Sequence, residues 1–390
     1  MTDQSPNRNL AVHVARSDAD RERVYRFRYS VVVDELGGDS VRAHRGLKML
    51  RDPLDSTGTQ LFVQLDDEIV AAARLNCGGL SALPDIFVRP LKLDNFAEWG
   101  DASLSMTDRL LVSRKGRDTA AAALLLLAAF KMARQHGSRF DFAPCPPSLV
   151  KLYEQLGYRR YGENFLDEDE TYQVPLVLLL EDYQHLSSIN SPFARTAAGM
   201  EKPRDTALWF ARNFPDAGAR PSERVMDEDR FWQFLTDRLH QVPIYALPLL
   251  VGLDYKEAKR FLSVGTILRC KEGDCVVRKG DIGREMFVVL SGEVEVRYPD
   301  GTRTRSNAVA RFGRGAAFGE IAYLADTPRS ADVVATSDIE VLVVTQDTMK
   351  QAIRQMPEIA CRVLFNLSLI LCERLRDSTR QWMRGLDAAE

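Results

Sequence analysis

The sequence predicts an α/β domain followed by a small all-β domain with helical flanks. Strand patterns alternate with helical patterns over residues 8–186, which is typical of helices that cover a central sheet. Closely spaced strand patterns with glycine turns occupy much of residues 243–390, which indicates a β-barrel or jelly roll that ends in a long helix. Residues 187–242 combine turn-forming stretches with short helical patterns, and we interpret them as a helical linker.

The composition is that of a folded protein without a bias toward nucleic acid or membrane. The 390 residues are 45% hydrophobic and 27% charged, which excludes a disordered or fibrous chain. The 52 Lys and Arg residues nearly balance the 55 Asp and Glu residues, so no overall basic field favours a nucleic-acid partner. The N-terminus lacks a signal-peptide pattern, and the longest apolar run, residues 120–130, is about half the length of a membrane span. We expect a cytoplasmic protein with no transmembrane segment.

Cysteine and histidine are sparse. The six cysteines form no CxxC pair, and the five histidines do not lie at metal-ligand spacing from them. We therefore predict reduced thiols and no structural metal.

The strands of the first domain follow from its periodicity. Residues 61–76 predict two strands joined by a polar turn at Asp66 and Asp67. Further strands are predicted over residues 103–113, 139–145 and 172–182. The last of these is apolar over residues 174–180 and indicates a buried strand.

Helices are predicted between these strands. Residues 120–137 predict a helix that ends at Gly137, and residues 148–157 predict a second helix with Ser148 as its N-cap. In the linker, residues 227–241 predict an amphipathic helix. Its apolar face carries Phe231, Phe234, Leu235 and Leu239.

The second domain ends in a helix over about residues 357–384. Four leucines fall close to one stripe of this helix: Leu364, Leu367, Leu371 and Leu375. The stripe suits a homodimer through this helix and packing of the helix on the β domain equally well.

The most informative segment is residues 318–334, FGEIAYLADTPRSADVV. It predicts a short helix directly after Gly319, whose free backbone N–H groups favour an anion. Glu320 can accept hydrogen bonds from a sugar hydroxyl, and Arg329 can hold a phosphate through its planar set of donors. Ser330 adds a donor beside that arginine.

This segment resembles the phosphate-binding cassette of cyclic nucleotide-binding domains, the family that includes catabolite activator protein and the protein kinase A regulatory subunits. The preceding stretch, with Gly280, Gly283 and Gly292 at turns, is similar to the β-roll of that family. The resemblance implies that Glu320 binds the ribose hydroxyl of cAMP and that Arg329 binds its cyclic phosphate. The nucleotide-binding residues that it implies are Gly319, Glu320, Ile321, Ala322, Arg329, Ser330, Ser378 and Thr379.

Two further features concern the ligand and the class of regulator. Members similar to catabolite activator protein use a Thr-Ser pair on the long helix to reach the adenine, and Ser378 and Thr379 stand near that place in reversed order. This is a weak indication of cAMP over cGMP. About ten residues follow Thr379, too few for a helix-turn-helix, so we expect no DNA binding. A β-roll that has lost its ligand is the alternative.

A strand-turn-helix in the first domain indicates a second ligand. Residues 110–130 run from a strand through a basic turn into an apolar helix, whose N-terminus can hold a pyrophosphate. The segment resembles motif A of the GCN5-related N-acyltransferases (GNAT), although Asp118 and Ala120 replace glycines that are common there. The resemblance implies a GNAT-like mixed sheet with flanking helices. It implies an acyl-donor site formed by Val112, Arg114, Lys115, Arg117, Ala120 and Ala122.

The basic turn in this motif suits the phosphates of coenzyme A and the surface of an acyl carrier protein equally well. A solvated basic turn is the alternative. Residues 146–162 resemble motif B of the same family, in which a helix ends in Tyr-x-x-x-Gly-Tyr. Tyr153 then stands where many members place a tyrosine that protonates the departing thiolate, for which a pKa of about 10 is suitable. The alternative is a tyrosine packed in the core.

The start of the domain narrows this resemblance. Residues 21–37, followed by Asp52, Asp55 and Arg74, look like acyl-homoserine-lactone synthases and long-chain N-acyl amino acid synthases. In the lactone synthases the two acids and the arginine shape the side that receives the amine. Arg109 matches the arginine of the next motif and joins this acceptor-binding set.

The same motif departs from the lactone synthases at one position. Met106 stands where they have glutamate, which argues against homoserine-lactone synthesis itself. Asp108 is our candidate for the base that removes the amine proton, directly or through water. A surface or salt-bridging role for Asp52, Asp55 and Asp108 is the alternative.

Together the resemblances predict an N-acyltransferase under the control of cAMP. An amine attacks the thioester carbonyl, a backbone N–H at a splayed central strand stabilises the oxyanion, and Tyr153 protonates the thiolate. The donor is an acyl-CoA or an acyl carrier protein, and the acceptor is a small amine or amino acid. Two alternatives stay open: a non-catalytic cAMP sensor with a degenerate acyltransferase-like domain, and a cAMP-controlled protein-lysine acetyltransferase.

Overall fold

The chain forms two compact units in the computed structural model. Unit 1 comprises residues 1–220 and 280–282, and unit 2 comprises residues 221–279 and 283–390. The structure describes residues 10–37, 40–79, 88–117, 119–167, 171–197, 205–215, 217, 228–281, 283–299, 306–325 and 327–387. Within these ranges we find no helix with the length and apolar character that crossing a membrane requires.

Unit 1 is built around one mixed sheet. The unit has the strands β1 (Ala11–Val14), β2 (Ala43–His44), β3 (Met49–Leu50), β4 (Thr59–Leu65), β5 (Glu68–Cys77), β6 (Leu104–Val112), β7 (Phe140–Cys145), β8 (Arg159–Arg160), β9 (Phe165–Leu166) and β10 (Tyr172–Leu179), of which β2 and β3 form a separate two-stranded sheet. Its α-helices are α1 (Asp18–Tyr29), α2 (Ala121–Gln135), α3 (Pro147–Leu156), α4 (Tyr183–Ser188), α5 (Ala194–Ala197) and α6 (Asp205–Asn213). Shorter helical turns are Ser30–Glu35, Pro53–Ser56, Leu93–Trp99 and Asp101–Ser103.

The strand order of this sheet is β1-β4-β5-β6-β7-β10-β8, with β9 paired to β10. Neighbouring strands are antiparallel except β6 and β7, which run parallel. The parallel ladder joins only residues 104–106 to 140–142, although β6 continues to Val112 and β7 to Cys145. The two central strands therefore separate after Met106.

The predicted strands and helices of unit 1 are confirmed with one correction. β4 and β5 meet at Asp66 and Asp67, which both have positive φ (51° and 63°), as in the two-residue hairpin turns that match strand twist. The predicted N-cap at Ser148 is wrong. Pro146 is the N-cap of α3, and Pro147 begins the helix because its fixed φ suits the first helical position.

An aromatic cluster forms one core of unit 1. The ring centroid of Phe96 lies 5.1 Å from that of Phe140, 4.9 Å from that of Phe142 and 5.3 Å from that of Phe214. Phe210 on α6 is buried in the same cluster. The first part of the predicted linker therefore belongs to the core of unit 1.

Unit 2 is a β-roll with helices before and after it. Its strands are β11 (Thr266–Cys270), β12 (Cys275–Val277), β13 (Glu285–Ser291), β14 (Val294–Pro299), β15 (Ser306–Phe312), β16 (Ala317–Phe318), β17 (Asp332–Ala335) and β18 (Ile339–Thr345). Its helices are α7 (Glu228–Leu239), α8 (Pro243–Ala246), α9 (Tyr255–Leu262), α10 (Glu320–Ala325), α11 (Gln346–Gln355) and α12 (Pro357–Asp387), with a 3₁₀ turn at Pro248–Leu250.

The strands of unit 2 form two four-stranded antiparallel sheets. Their orders are β11-β18-β13-β16 and β12-β17-β14-β15. The predicted β-roll with a long C-terminal helix is thus confirmed.

The helix α7 is part of the core of unit 2. Its buried side chains are Phe231, Trp232, Leu235 and Leu239. Phe234 is only partly buried against this core. The segment 187–242 is therefore shared between the two units rather than forming a separate linker, because its aromatic side chains are buried in two different cores.

The long helix α12 also contributes to this core. Leu367 is fully buried and Leu364 packs partly against the same cluster, whereas Leu375 is 69% exposed. The predicted leucine stripe is therefore divided. The first part packs on the helix's own unit, and the later part faces solvent.

Candidate functional site

The cassette predicted in unit 2 is organised around the guanidinium of Arg329. This side chain is 4% exposed, and its Nη1 donates to the backbone oxygens of Glu285 and Gly319, each at 2.8 Å. Its Nη2 lies 3.0 Å from Glu285 Oε1. A Cβ at Gly283 would come within 2.1 Å of that same nitrogen, so the turn needs glycine to let the guanidinium approach.

The second polar group of the cassette is the carboxylate of Glu320, which begins α10 and is 5% exposed. Its Oε1 accepts a hydrogen bond of 2.6 Å from Nη1 of Arg374 on α12. The same arginine donates to the backbone oxygen of Ala317 at 2.6 Å, and its guanidinium carbon lies 4.3 Å from the centre of the Phe312 ring. Arg374 thus ties the long helix to the cassette.

The structure brings only part of the predicted nucleotide site together. Gly319 has a φ of 78°, the left-handed conformation that glycine adopts readily, and it leads directly into α10. Ala322 is buried under this turn, whereas Ile321 is 49% exposed and Ser330 is exposed. Ser378 and Thr379 are both exposed on α12, and the Thr379 hydroxyl donates to the backbone oxygen of Leu375 at 2.8 Å.

Sequence reasoning missed two residues of this site, Glu285 and Arg374. Glu285 comes directly after the turn that contains Gly283, at the first position of a strand. Arg374 lies four residues before Ser378, on the helix already singled out. Both could have been found by asking which opposite charges must accompany a buried arginine and a buried glutamate.

Comparison with protein families identifies the domain that contains this cassette. Residues 267–356 match the family model of the cyclic nucleotide-binding domain. The chain contains a cyclic nucleotide-binding domain. This confirms the C-terminal prediction, and the match covers less than half of the chain.

Several curated proteins are similar to this chain over a limited length. "Cyclic AMP receptor protein" from Thermus thermophilus is 33% identical over 132 residues, which cover 34% of this chain and 58% of that protein. A "cAMP-dependent protein kinase regulatory subunit" from Colletotrichum orbiculare is 30% identical, covering 28% and 27%. "Glutaminase 2" from Bradyrhizobium diazoefficiens is 34% identical, covering 37% and 22%. The chain thus spans less than two thirds of each of these relatives.

Among solved structures, a cyclic nucleotide-binding domain from Methylobacillus flagellatus is 24% identical and covers 38% of this chain and 82% of that chain, with a TM-score of 0.35. The catabolite activator protein from Thermus thermophilus is 30% identical and covers 35% and 61%, with a TM-score of 0.32.

In unit 1, the predicted acceptor-side residues meet in one buried cluster around Arg74. Its Nε and Nη2 donate to the two carboxylate oxygens of Asp108 at 2.9 and 2.6 Å. Its Nη1 donates to Asp55 Oδ1 at 3.0 Å and also to Asp52. Arg109 Nε donates to the other oxygen of Asp52 at 2.8 Å.

Local backbone structure places these side chains. Arg74 and Asp108 lie opposite each other on β5 and β6, next to a bulge in that ladder. Arg109 follows with a φ of 53°, which is uncommon for a residue other than glycine. Asp52 is the N-cap of the helical turn Pro53–Ser56, and its carboxylate accepts the backbone N–H of Leu54. The carboxylate of Asp55, within this turn, accepts the backbone N–H of Asp52 in return.

Further residues of this cluster were not assigned from the sequence. Arg28 is fully buried, and its Nη1 donates to Asp55 Oδ1 at 2.8 Å. Its Nη2 bonds to Gln60, which in turn donates to the same aspartate oxygen at 3.1 Å. Arg28 lies within residues 21–37, the stretch that carried the resemblance, so a buried role could have been inferred there.

The arginines keep Asp52 ionised. Burial alone would raise the pKa of Asp52, but the positive charges of Arg74 and Arg109 outweigh it and hold that pKa at about 2. Asp108 uses both oxygens to accept from Arg74. This is the geometry expected if Asp52, Asp55 and Asp108 have a salt-bridging role.

The predicted donor turn between β6 and α2 already holds a carboxylate. Glu35 Oε2 accepts the backbone N–H of Arg114 at 2.9 Å and lies 3.3 Å from Arg117 Nη2. Lys115 pairs with Glu68 at 2.8 Å on the surface. Sequence reasoning did not assign Glu35, which ends the turn that continues α1.

The remaining donor-site residues surround the start of α2. Val112 ends β6, and Ala120 is the N-cap of α2, with Ala122 in its first turn. Asp118, named for its departure from the GNAT pattern, lies outside the described residues. An N-terminus of this kind leaves backbone N–H groups that favour an anion.

Tyr153 on α3 is 1% exposed. Its ring packs edge-on against that of Tyr158, with centroids 5.0 Å apart. Burial raises the pKa of Tyr153 well above 10, with smaller contributions from the nearby Cys145 and Asp141. The phenol is therefore neutral at physiological pH, but it is a weaker acid than the expected pKa of about 10 implies, and its burial is that of the packed-core alternative.

Proposed function

We propose that this chain is an N-acyltransferase whose activity is controlled by a cyclic nucleotide, with cAMP as the first candidate. The donor is an acyl-CoA or an acyl carrier protein, and the acceptor is a small amine or amino acid. The observation that carries the proposal is the convergence of five residues, widely separated in sequence, on one buried cluster. They are Asp52, Asp55, Arg74, Asp108 and Arg109.

The central strands support the same chemistry. The ladder between β6 and β7 ends at Met106 and Phe142, although both strands continue. A strand that leaves its neighbour presents backbone N–H groups that can stabilise an oxyanion on the thioester carbon. The motif B helix α3 directly follows β7 and carries Tyr153.

The reaction then proceeds by direct attack. The amine nitrogen, which loses one proton on the way in, forms a bond to the thioester carbonyl carbon, and the C–S bond breaks. The thiolate takes a proton from Tyr153, and the second proton of the nitrogen replaces it. The cluster around Arg74 holds together the strands and the helical turn on the side of the site that receives the amine. The cyclic nucleotide acts from unit 2, where Arg374 links its cassette to the long helix.

The test is thiol release from short to long acyl-CoA donors, and from acyl carrier protein donors, with mixed amine acceptors, with and without cAMP. Turnover that changes with cAMP supports the whole proposal. The variant Arg329→Ala should weaken cAMP binding by about 30-fold or more, because charge-assisted hydrogen bonds to the phosphate are lost. The exposed Arg311 on β15 provides the control variant Arg311→Ala. Equal cAMP affinity in both variants would contradict the assigned nucleotide site.

A non-catalytic cyclic nucleotide sensor is the second candidate. It is favoured by Glu35, whose carboxylate lies where a donor phosphate would bind. Thermal unfolding with and without coenzyme A separates the two functions, since a ligand that binds the folded state raises the melting temperature. No shift with coenzyme A or acyl-CoA, together with a shift by cAMP, would favour the sensor.

We further propose that α12 mediates a homodimer. Phe365, Leu369 and Leu375 are 57%, 49% and 69% exposed on this helix. Light scattering after size-exclusion chromatography should give twice the chain mass for the wild type and the chain mass for Phe365→Glu. A monomeric wild type at micromolar concentration would contradict this proposal.

A further inference from the structure

Asp141 is a buried carboxylate that the mechanism above does not use. It lies on β7, opposite Ser105 in the parallel ladder and one rung before β6 and β7 separate. Its side chain is 2% exposed. Oδ1 accepts from the Ser105 hydroxyl at 2.7 Å, and Oδ2 accepts from the Tyr158 hydroxyl at 2.5 Å.

This environment differs from that of the other buried acids of unit 1. Asp52, Asp55 and Asp108 each accept from an arginine, whereas Asp141 accepts from the hydroxyl groups of Ser105 and Tyr158. A carboxylate held by hydroxyls gains less from ionisation than one held by guanidinium groups.

The titratable groups that face Asp141 are neutral or negative. They are Cys77 on β5, Asp108 on β6, Tyr153 on α3 and Tyr158 just after it. The pKa of Asp141 is raised to about 6. Burial and, to a smaller extent, the charge of Asp108 raise it, whereas the hydrogen bonds from Tyr158 and Ser105 lower it. Asp141 therefore gains and loses a proton close to neutral pH, whereas Asp52 stays ionised.

We propose that Tyr158 and Asp141 form the proton relay that deprotonates the acceptor amine, a role that rests on the proposed acyl transfer. The Tyr158 oxygen accepts a proton from the acceptor's ammonium group while its own hydroxyl proton passes to Asp141. Tyr158 is the group that meets the acceptor, and Asp141 acts through it as a positioning residue. This assignment replaces Asp108 as the base.

The protons balance over the reaction. The ammonium group gives one proton to the relay before attack, and the nitrogen loses its second proton as the C–N bond forms. The C–S bond breaks, and Tyr153 donates its proton to the thiolate. The second proton of the nitrogen then replaces the proton that Tyr153 has lost. Asp141 returns its proton to solvent after the amide leaves.

Two structural features place the relay at the reacting centre. Tyr158 packs on Tyr153, the proposed donor to the thiolate, with ring centroids 5.0 Å apart. Asp141 belongs to the ladder whose end leaves the β6 N–H groups for the oxyanion. The proton acceptor, the proton donor and the oxyanion site therefore lie together where β6 and β7 separate.

The test is the pH profile of kcat/KM for thiol release, using the acyl-CoA and amine pair that the wild type turns over fastest. The wild type should lose activity on the acid side with a midpoint near 6, since the free enzyme's base must be unprotonated. Asp141→Asn keeps the shape, and its amide can accept from Ser105 and donate to the Tyr158 oxygen, but it cannot take up a proton. We expect it to lose this acid limb and about 100-fold or more of the plateau rate.

Tyr158→Phe provides a second variant, should Asp141→Asn fail to fold. It should lose a similar part of the rate, whereas Tyr161→Phe should not. The Tyr161 hydroxyl is also buried, but it donates to the backbone oxygen of Leu91 and takes no part in the relay.

The outcomes separate the relay from the proposed function. An acid limb near 6 that persists in Asp141→Asn, or equal rates in Tyr158→Phe and Tyr161→Phe, would overturn the relay alone. No turnover by the wild type with any acyl-CoA or carrier-protein donor would overturn the acyl transfer and the relay with it.

Discussion

Both units are organised around a buried arginine, but Arg74 in unit 1 and Arg329 in unit 2 have different partners. Arg74 contacts three carboxylates, which come from a helical turn and from β6. Arg329 contacts one carboxylate, that of Glu285, and two backbone oxygens. The first arrangement is a saturated ion network, whereas the second leaves a guanidinium that an incoming phosphate can recruit by competing with a single acid.

The comparison teaches that burial alone does not mark a binding group. A guanidinium matched by several carboxylates holds elements together, because removing it strands several charges in a region without water. A guanidinium matched by one carboxylate can exchange that partner for a ligand.

Arg74→Ala should cost about 3–5 kcal/mol of local stability, because it leaves Asp52, Asp55 and Asp108 with fewer cations in a buried site. Native-state hydrogen exchange of β5 and β6 in the full chain measures this loss. Arg21→Ala, which removes an exposed pair with Asp18, is the control and should change stability by about 0.5 kcal/mol or less. A loss below about 1 kcal/mol for Arg74→Ala would show that the network does not hold the strands.

Asp141 provides a carboxylate held by hydroxyl groups for the same comparison. Its folded pKa of about 6 lies above the ordinary value of 3.8, so the protonated form is favoured in the folded state. The stability from this group is complete below about pH 4 and is lost as pH rises through 6. Relative to the wild type, the free energy of unfolding of Asp141→Asn should therefore rise by about 3 kcal/mol between pH 4 and 7. Urea unfolding at each pH measures this difference.

The control for this pH dependence is Asp18→Asn, which removes an acid whose side chain is 99% exposed in its pair with Arg21. Between pH 4 and 7, the free energy of unfolding relative to the wild type should change more for Asp141→Asn than for Asp18→Asn. Equal changes in the two variants would contradict the raised pKa of Asp141.

Arg374→Ala should have a smaller effect, about 2 kcal/mol, because Arg374 is partly exposed while its partner Glu320 is buried. We expect α12 to exchange its amide hydrogens faster and cAMP to bind more weakly, since Glu320 loses the contact that orients it. The neighbouring exposed residue offers the control variant Arg376→Ala. Unchanged exchange in α12 would show that Arg374 does not couple this helix to the cassette.

The smallest effect is expected at the donor turn of unit 1. Glu35→Gln removes a negative charge from the Arg114 N–H and the Arg117 guanidinium, so coenzyme A should bind about fivefold more tightly, or about 1 kcal/mol. Isothermal titration with coenzyme A measures the change. Glu68→Gln removes the exposed acid beside Lys115 and should leave affinity nearly unchanged. Equal affinities for Glu35→Gln and the wild type would place the donor phosphates elsewhere.

Several parts of the molecule could be predicted because their signals are local. The nucleotide cassette is one continuous segment, residues 318–334, so its glycine, glutamate and arginine can be recognised by spacing alone. Strands and helices follow from side-chain periodicity, which depends only on neighbours along the chain. The correction at Ser148 arose where two adjacent prolines start the helix instead.

The parts that could not be predicted depend on contacts between distant residues. Arg374 and Glu320 are 54 positions apart, and Glu35 and Arg117 are 82 apart. The division of residues 187–242 between two cores likewise depends on which aromatic surface each part buries.

Three features can be recognised in the amino-acid sequence alone: the order of secondary structure, the presence of a cyclic nucleotide-binding domain and the residue types available at each candidate site. Tertiary structure alone decided which charges neutralise one another: Arg74 is matched by three acids, Arg329 by one, and Asp141 by hydroxyl groups. The physical reason is that the energy of an ionised group depends on its burial and on the charges within a few ångströms of it. Those neighbours are brought together by the packing of strands and helices, and no local pattern in the chain encodes them.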